Sequence, residues 1–229
     1  MSPPGALLQL RALAAIELER CPVGREHPTH QRLVAGELTS SELARWAIEQ
    51  WCWHRAFPAV LATLAAQAPP GPLRALLLRR AAIEDGALPA EGPGRCAEWA
   101  QVCAAFGVGP EQLAMARPGP ETETMIAIQR SVASRPFLEG WIGLMVGVDG
   151  ETQSHNAARR RAARLHYGVP DDALAYFRTP AEDPIADALA PLEPVLGSLS
   201  VARERAGEAL RLVLHARWGY FSGIARPLR

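Results

Sequence analysis

The polar residues best placed for chemistry are those that interrupt apolar helix faces. Leu43, Ala47, Gln50, His54, Phe57, Leu61 and Leu64 recur at spacings of 4, 3, 4, 3, 4 and 3, which puts them on one face of a helix. Five are apolar; Gln50 and His54 are not, and a buried polar group left unpaired costs about 1–3 kcal/mol. They are either a satisfied core pair that fixes helix packing or the lining of a polar pocket. A second stripe, Leu73, Leu77, Arg80 and Glu84, ends in the same way. Arg80 and Glu84 read as an exposed i,i+4 ion pair or, if turned inward beside His54, as part of an acid–base group. A third stripe runs Leu138, Ile142, Met145, Asp149, Thr152, Asn156, Arg159 and Ala163. Leu144, Val148, Glu151 and His155 form a competing face, and a break near Gly150 would change the phase.

Other candidates have simpler explanations. Asp183 before Pro184 is a good N-cap followed by an N1 proline. His215 sits beside a strongly apolar face. Cys21, Cys52, Cys96 and Cys103 form no CxxC pair and no zinc-like spacing. Glu84, Asp149, Glu151 and Asp183 are an all-oxygen donor set, suited to a hard cation and poor for a redox iron. No Glu-x-x-His of the kind used by di-iron bundles occurs.

The elements that must position these residues are almost all helical. Thr39-x-x-Glu42 fits a capping box that starts a helix over Ser40–Gln67, and APPGP ends it. Further helices are predicted over Gly5–Arg20, His27–Val34 with Gly36 as its stop, Leu73–Asp85, Arg95–Phe106, Pro120–Ser134 and Phe137–Tyr167, the last with a break at Gly147–Gly150. Short ones follow at Pro110–Met115, Pro170–Phe177 and Asp183 onward, and a last helix over Ser200–Ile224. No β-branched run of period two appears. The expectation is one all-α domain over residues 1–229.

Composition narrows the function classes. Twenty-four basic and 24 acidic residues balance to zero, which argues against a nucleic-acid binder. No apolar run reaches membrane-spanning length without charges. The first 20 residues lack a basic n-region and carry Glu17 and Glu19, unlike a signal peptide. A cytoplasmic protein is expected.

The segment HPTHQRLVAGELTSSELARWAIEQWCWHRAFP resembles the opening of pyrroloquinoline-quinone synthase and its relatives in the haem-oxygenase-like superfamily. The likeness continues at APPGPLRALLLRRAAIEDG, RCAEWAQVCAAFGV, the Arg159 to His166-Tyr167 segment, LAYFR and LHARWGYF. It implies a haem-oxygenase-like helical bundle around a central cavity, usually dimeric. The synthase branch oxidises its substrate with dioxygen and no metal, using Arg, His and Tyr. On that match His27 and His30 fall in the early histidine segment, and Arg80, Arg159 and Tyr176 keep the family's residue types. Gln50 and His54 stand where that branch has Arg and Gln, Glu84 where it has His, and Asn156 or adjacent His155 at another His. Pro180 stands for an Arg and Val213 for a Lys. Against the di-iron oxidase branch, Glu84 suits the first Glu and Asp149 or Glu151 the second. Thr179, Asp183 and Ala186 occupy its His-x-x-x-Asp-x-x-His, so both histidines are missing. No Cys falls at the nucleophile position of the thiaminase-like branch.

The resemblance therefore implies a metal-independent oxidase of the quinone-synthase type acting on a small biosynthetic intermediate with dioxygen. His54, Glu84 and Tyr176 would handle protons, with a facing His54/Glu84 pair poised near neutrality. Gln50, Arg80, Asp149, Asn156, Arg159 and Asp183 would bind substrate, the arginines through its carboxylates. A homodimer without nucleic-acid or membrane partners is expected. The alternatives are a non-catalytic bundle that binds a metabolite or partner, and a non-haem iron oxygenase with a degenerate metal site.

Overall fold

The computed structural model describes residues 3–177, 182–196 and 203–225. In chain order these form α1 (Pro3–Arg20), α2 (Val23–Glu26), α3 (Pro28–Ala35), α4 (Ser40–Gln67), α5 (Pro72–Glu84), α6 (Arg95–Ala105), α7 (Pro110–Met115), α8 (Pro120–Ala133) and α9 (Phe137–Trp141). A π-helix (Ile142–Gly150) runs directly from α9 into α10 (Glu151–His166); α11 (Pro184–Leu189) and α12 (Arg203–Ile224) follow. Single 3₁₀ turns cover Pro89–Glu91, Ala173–Tyr176 and Ala190–Leu192. No strand occurs among the described residues. Ser200, where the last helix is expected to start, lies outside them, as do Thr179 and Pro180.

Local chemistry sets the helix ends. Thr39 and Glu42 close the expected capping box: the Thr39 side chain accepts from the Glu42 amide at 3.3 Å, and the Glu42 carboxylate accepts from the Thr39 amide at 2.9 Å. His27 is not inside α3 but caps it, Nδ1 accepting from the Thr29 amide at 3.1 Å. Gly36 ends α3 with φ of 80°, a left-handed geometry that a side chain would strain. Pro28, Pro72, Pro110, Pro120 and Pro184 each occupy a first helical turn, where no N–H partner is needed.

α4 is the central helix. It packs against α5, α6 and α8 and buries Leu43, Trp46, Ala47, Phe57, Leu61 and Leu64. Pro58 lies within it and cannot donate to the carbonyl of His54, so the backbone ladder is interrupted at the residue that carries the imidazole. α12 packs along α8 and the π-helix, completing the layer opposite.

The break expected at Gly147–Gly150 is instead nine residues of π-helix. IGLMVGVDG is apolar and glycine-rich, and its glycines are contact points. A Cβ on Gly143 would lie 2.6 Å from Val132 and 3.2 Å from the Ala209 carbonyl; one on Gly147 would lie 3.0 Å from Leu210 and 3.1 Å from Val213. Neighbouring helices therefore approach the bare backbone. The wider winding changes the phase. Asp149, Thr152 and Asn156 face one cavity, while Glu151 turns to a separate buried cluster.

Candidate active site

A cavity of about 420 Å³ opens between α4, α5, α6, the 173–176 turn and the π-helix/α10 junction. His54, Arg80, Glu84, Asp149, Asn156 and Tyr176, six of the sequence-predicted residues, line it. Gln50 and Arg159 line a small hole of about 20 Å³ behind it, which shares Trp53, Thr152, Asn156 and Tyr176 with the larger space. Asp183 does not belong. Its carboxylate caps α11 by accepting from the Ala186 amide at 2.9 Å and pairs with Arg11, so the N-cap explanation accounts for it.

At the inner wall, Nε2 of His54 lies 2.7 Å from the Tyr176 hydroxyl and 3.2 Å from the Gln50 amide nitrogen. Tyr220 donates to Gln50 Oε1 at 2.8 Å, which orients the amide with its NH₂ toward both His54 and Tyr176. An amide nitrogen only donates. Nε2 of His54 is therefore an acceptor, the phenol is its donor, and the imidazole proton sits on Nδ1. That atom is buried and has no partner among the described residues. Burial, then the positive charge of Arg95, holds the His54 pKa well below the ordinary histidine value. Burial pushes Tyr176 up, opposed by Arg95, the Gln50 N–H and Arg159.

The facing His54/Glu84 pair is not formed. His54 is committed to Tyr176 and Gln50, whereas Glu84 lies 3.6 Å from Arg80 and 3.9 Å from Arg95. Nor is Arg80 open to a substrate carboxylate. It grips Asp149 with two hydrogen bonds, one of them 2.7 Å, and that charge keeps its guanidinium protonated against the cost of burial.

Beneath the cavity lies a second, largely buried cluster. Arg217 donates to Glu151 at 2.5 and 3.1 Å and to the Thr152 hydroxyl at 2.9 Å. Arg159 donates through Nε to His30 Nε2 at 2.9 Å and lies 3.9 Å from Glu151. Burial, reinforced by Arg159, pushes His30 down to about 2, so it accepts as the neutral ring. Burial would raise Glu151, but Arg217 and Arg159 outweigh it and hold it ionised. His155, not Asn156, joins this cluster, with its ring 5.4 Å from His30. Val213, matched to a Lys only by the resemblance, packs against Gly147.

Sequence reasoning missed three contributors. Arg95 reads only as a helix-start residue, yet its guanidinium lies 4.2 Å from the Tyr176 ring centroid. Tyr220 and Arg217 sit on an apolar helix whose polar positions carry no distinctive spacing. The carboxylates do not fit an iron centre. Glu84 and Asp149 are claimed by Arg80, Glu151 by Arg217, and no group of three His, Cys, Asp or Glu suited to a metal occurs among the described residues. No described helix is long and apolar enough to cross a membrane.

Comparison with known proteins places this geometry in context. The model of the TENA/THI-4/PQQC family matches residues 13–145. A pyrroloquinoline-quinone synthase of Acidiphilium cryptum is 34% identical over 92 residues, which span 40% of this chain and only 35% of that relative. A 4-aminobenzoate synthase of Chlamydia pneumoniae is 26% identical over 202 residues, covering 87% of this chain and 88% of the relative. Among solved structures, a TenA homologue from Pseudomonas syringae superposes with a TM-score of 0.73 at 15% identity, over 95% of this chain and 91% of that one. A haem-oxygenase-like domain from Shewanella denitrificans gives 0.66 at 14% identity, over 98% and 92%. The all-α bundle around a cavity is thus the haem-oxygenase-like fold.

Proposed function

Because the chain belongs to the TENA/THI-4/PQQC family, we propose that its cavity is the active site of a biosynthetic enzyme of the quinone-synthase-like type, oxidising a small intermediate with dioxygen and without a metal. The observation that carries this reading is the buried 2.7 Å hydrogen bond between Tyr176 and His54 in the cavity wall. The Tyr176 hydroxyl takes a proton from the substrate while passing its own to Nε2 of His54. The reverse transfer returns a proton to reduced dioxygen. The substrate loses two electrons and two protons to dioxygen, one proton through this relay and the other directly, and hydrogen peroxide leaves. Burial disfavours the His54 imidazolium, which suits a relay better than a resting base. Gln50, fixed by Tyr220, holds the pair in register.

Thr152, Asn156 and Gln153 offer neutral polar contacts to the substrate, and Arg159 lies at the inner end for a negative charge. Glu84 and Asp149, each paired with Arg80, offer carboxylate oxygens to substrate N–H or O–H groups. The reading includes a homodimer in the cytoplasm. Purified protein is tested for oxygen uptake with candidate aromatic and amino-acid-derived intermediates. Tyr176→Phe and His54→Ala should each lower turnover by about 10²-fold or more, with the thermal transition preserved. Unchanged turnover in both would dispose of the assignment.

One observation favours a second reading. Arg80 spends its guanidinium on Asp149, as a pocket that binds without reacting would tolerate. A bound organic molecule released on denaturation, with no oxygen uptake, would support that non-catalytic role.

A further inference from the structure

We infer that Arg95 is a positioning residue for Tyr176: its guanidinium, laid over the phenol ring and bonded to the same residue's carbonyl, fixes where the hydroxyl points and supports the phenolate form. The inference rests on the active-site reading for its use in turnover, but its test does not need turnover.

Arg95 opens α6, and Glu98 and Trp99 follow it on the same face at i+3 and i+4. Its Nη1 donates to the Tyr176 carbonyl oxygen at 3.0 Å and to Glu98 at 2.7 Å. Its guanidinium carbon lies 4.2 Å from the centroid of the Tyr176 ring. Trp99 meets that ring with centroids 4.5 Å apart, and its own N–H donates to the Ala47 carbonyl at 2.8 Å. The phenol is therefore held at its backbone and face by Arg95, at another side by Trp99, and at its hydroxyl by His54 and Gln50. This makes one residue both a strut between α6 and the 173–176 turn and a fixed charge on the ring.

The sign of the charge matters. A cation over an aromatic face attracts the neutral ring through its quadrupole. It attracts a phenolate more strongly, because charge then meets charge. Among the described residues, the groups facing Tyr176 are Gln50 and His54 from α4, Glu84 from α5, Arg95 from α6, Arg159 from α10 and Tyr220 from α12. His54 is neutral, so among the described residues two cations oppose one carboxylate. Arg95 is the nearer cation, and after burial it acts most strongly on the phenol. Glu98, paired with Arg95, moderates its field.

The test places 2,3,5-trifluorotyrosine at position 176 in the full chain and follows its fluorine resonance against pH, without substrate. Arg95→Met should raise the titration midpoint by about one unit or more. Arg95→Lys, which keeps the charge, should recover at least half of that shift. Glu98→Gln should move the midpoint down. An unchanged midpoint in folded Arg95→Met, or one in Arg95→Lys as high as in Arg95→Met, would overturn the inference. If Arg95→Met does not fold, Glu98→Gln decides alone: a lower midpoint supports the inference and no movement overturns it. Absence of oxygen uptake would sink the active-site proposal while leaving these midpoints as they are, so the two failures are distinguishable.

Discussion

Arg80 and Asp149 meet across the cavity, one from α5 and the other from the end of the π-helix, in a two-point ion pair with one leg of 2.7 Å. The partner evident in the sequence was Glu84, one turn away, which in fact lies 3.6 Å off as the weaker contact. The stronger pair joins two elements that do not otherwise pack closely, so it braces the cavity wall. Arg80→Met leaves Asp149 and Glu84 facing each other without their shared cation. Both retain some solvent access, which moderates the cost. The expected loss is about 1–3 kcal/mol in urea unfolding. A double-mutant cycle with Asp149→Asn should give a coupling of about 1 kcal/mol. Additive losses would show that the pair braces nothing.

Stability should fall in mild acid through the buried histidines. Burial lowers the pKa of His27, His30, His54 and His155 from 6.5 in the folded chain, His30 to about 2. Below pH 6.5 the unfolded chain binds protons that the folded chain refuses. Stability is therefore fully present above 6.5 and is lost as pH falls from there toward the folded values. Each fully suppressed histidine contributes a slope of about 1.4 kcal/mol per pH unit. Between pH 6.5 and 4.5 this effect stands apart from Glu42 and Glu151, whose lowered pKa values cost stability only below 4.5. Chemical denaturation of His30→Gln across that window should give a shallower slope than the parent chain. An equal slope would show that His30 protonates without unfolding.

Both ends of α4 were legible because their causes are local: a capping box at Thr39 and a proline-glycine run after Gln67. Gln50 and His54 were legible as misfits on an apolar face, and they do meet at a pocket wall. The π-helix was not. Asp149 and Glu151 are two apart and turn to different sides, one to the cavity and one to the buried cluster, so each of the two stripes carries inward-facing polar residues. The sequence therefore offered two competing stripes, and the wider winding uses members of both. Arg95 was invisible for another reason. Its role depends on Tyr176, 81 positions away, and at its own position it resembles any basic residue paired with a carboxylate three residues on. Asp183 shows the opposite error, since a sufficient local explanation was set aside for a functional one.

Gly143 of the π-helix should resist even a methyl group. A Cβ on Gly143 would stand 2.6 Å from a Val132 methyl and 3.2 Å from the Ala209 carbonyl oxygen. Val132 can shift, but the Ala209 backbone belongs to α12 and cannot move without it. Gly143→Ala should therefore cost about 1–3 kcal/mol, although alanine favours ordinary helix. Gly219→Ala, where nothing lies within 4 Å, is the control and should be neutral or slightly stabilising. Equal stability of the two variants in thermal melts would mean that α12 does not press on the π-helix.

The buried cluster beneath the cavity should respond unequally to loss of its two best-bonded members. Glu151 and Arg217 share hydrogen bonds of 2.5 and 3.1 Å, which suggests that removing either would do similar harm. Charge counting gives a different answer. Arg217→Met leaves Glu151 beside Arg159 at 3.9 Å, one anion with one cation, and the balance holds. Glu151→Gln leaves two guanidinium groups, both 6% exposed, with no carboxylate between them. His30 cannot relieve this, because it is already the neutral acceptor for Arg159. Glu151→Gln should therefore cost about 3–5 kcal/mol, the range for breaking a buried pair by removing one partner, and Arg217→Met less. Adding Arg217→Met to Glu151→Gln should recover part of the loss, because it removes one of the two stranded cations. Urea unfolding of the two single variants and the double checks the order, and a double variant less stable than Glu151→Gln alone would show that packing around the guanidinium, not charge, dominates.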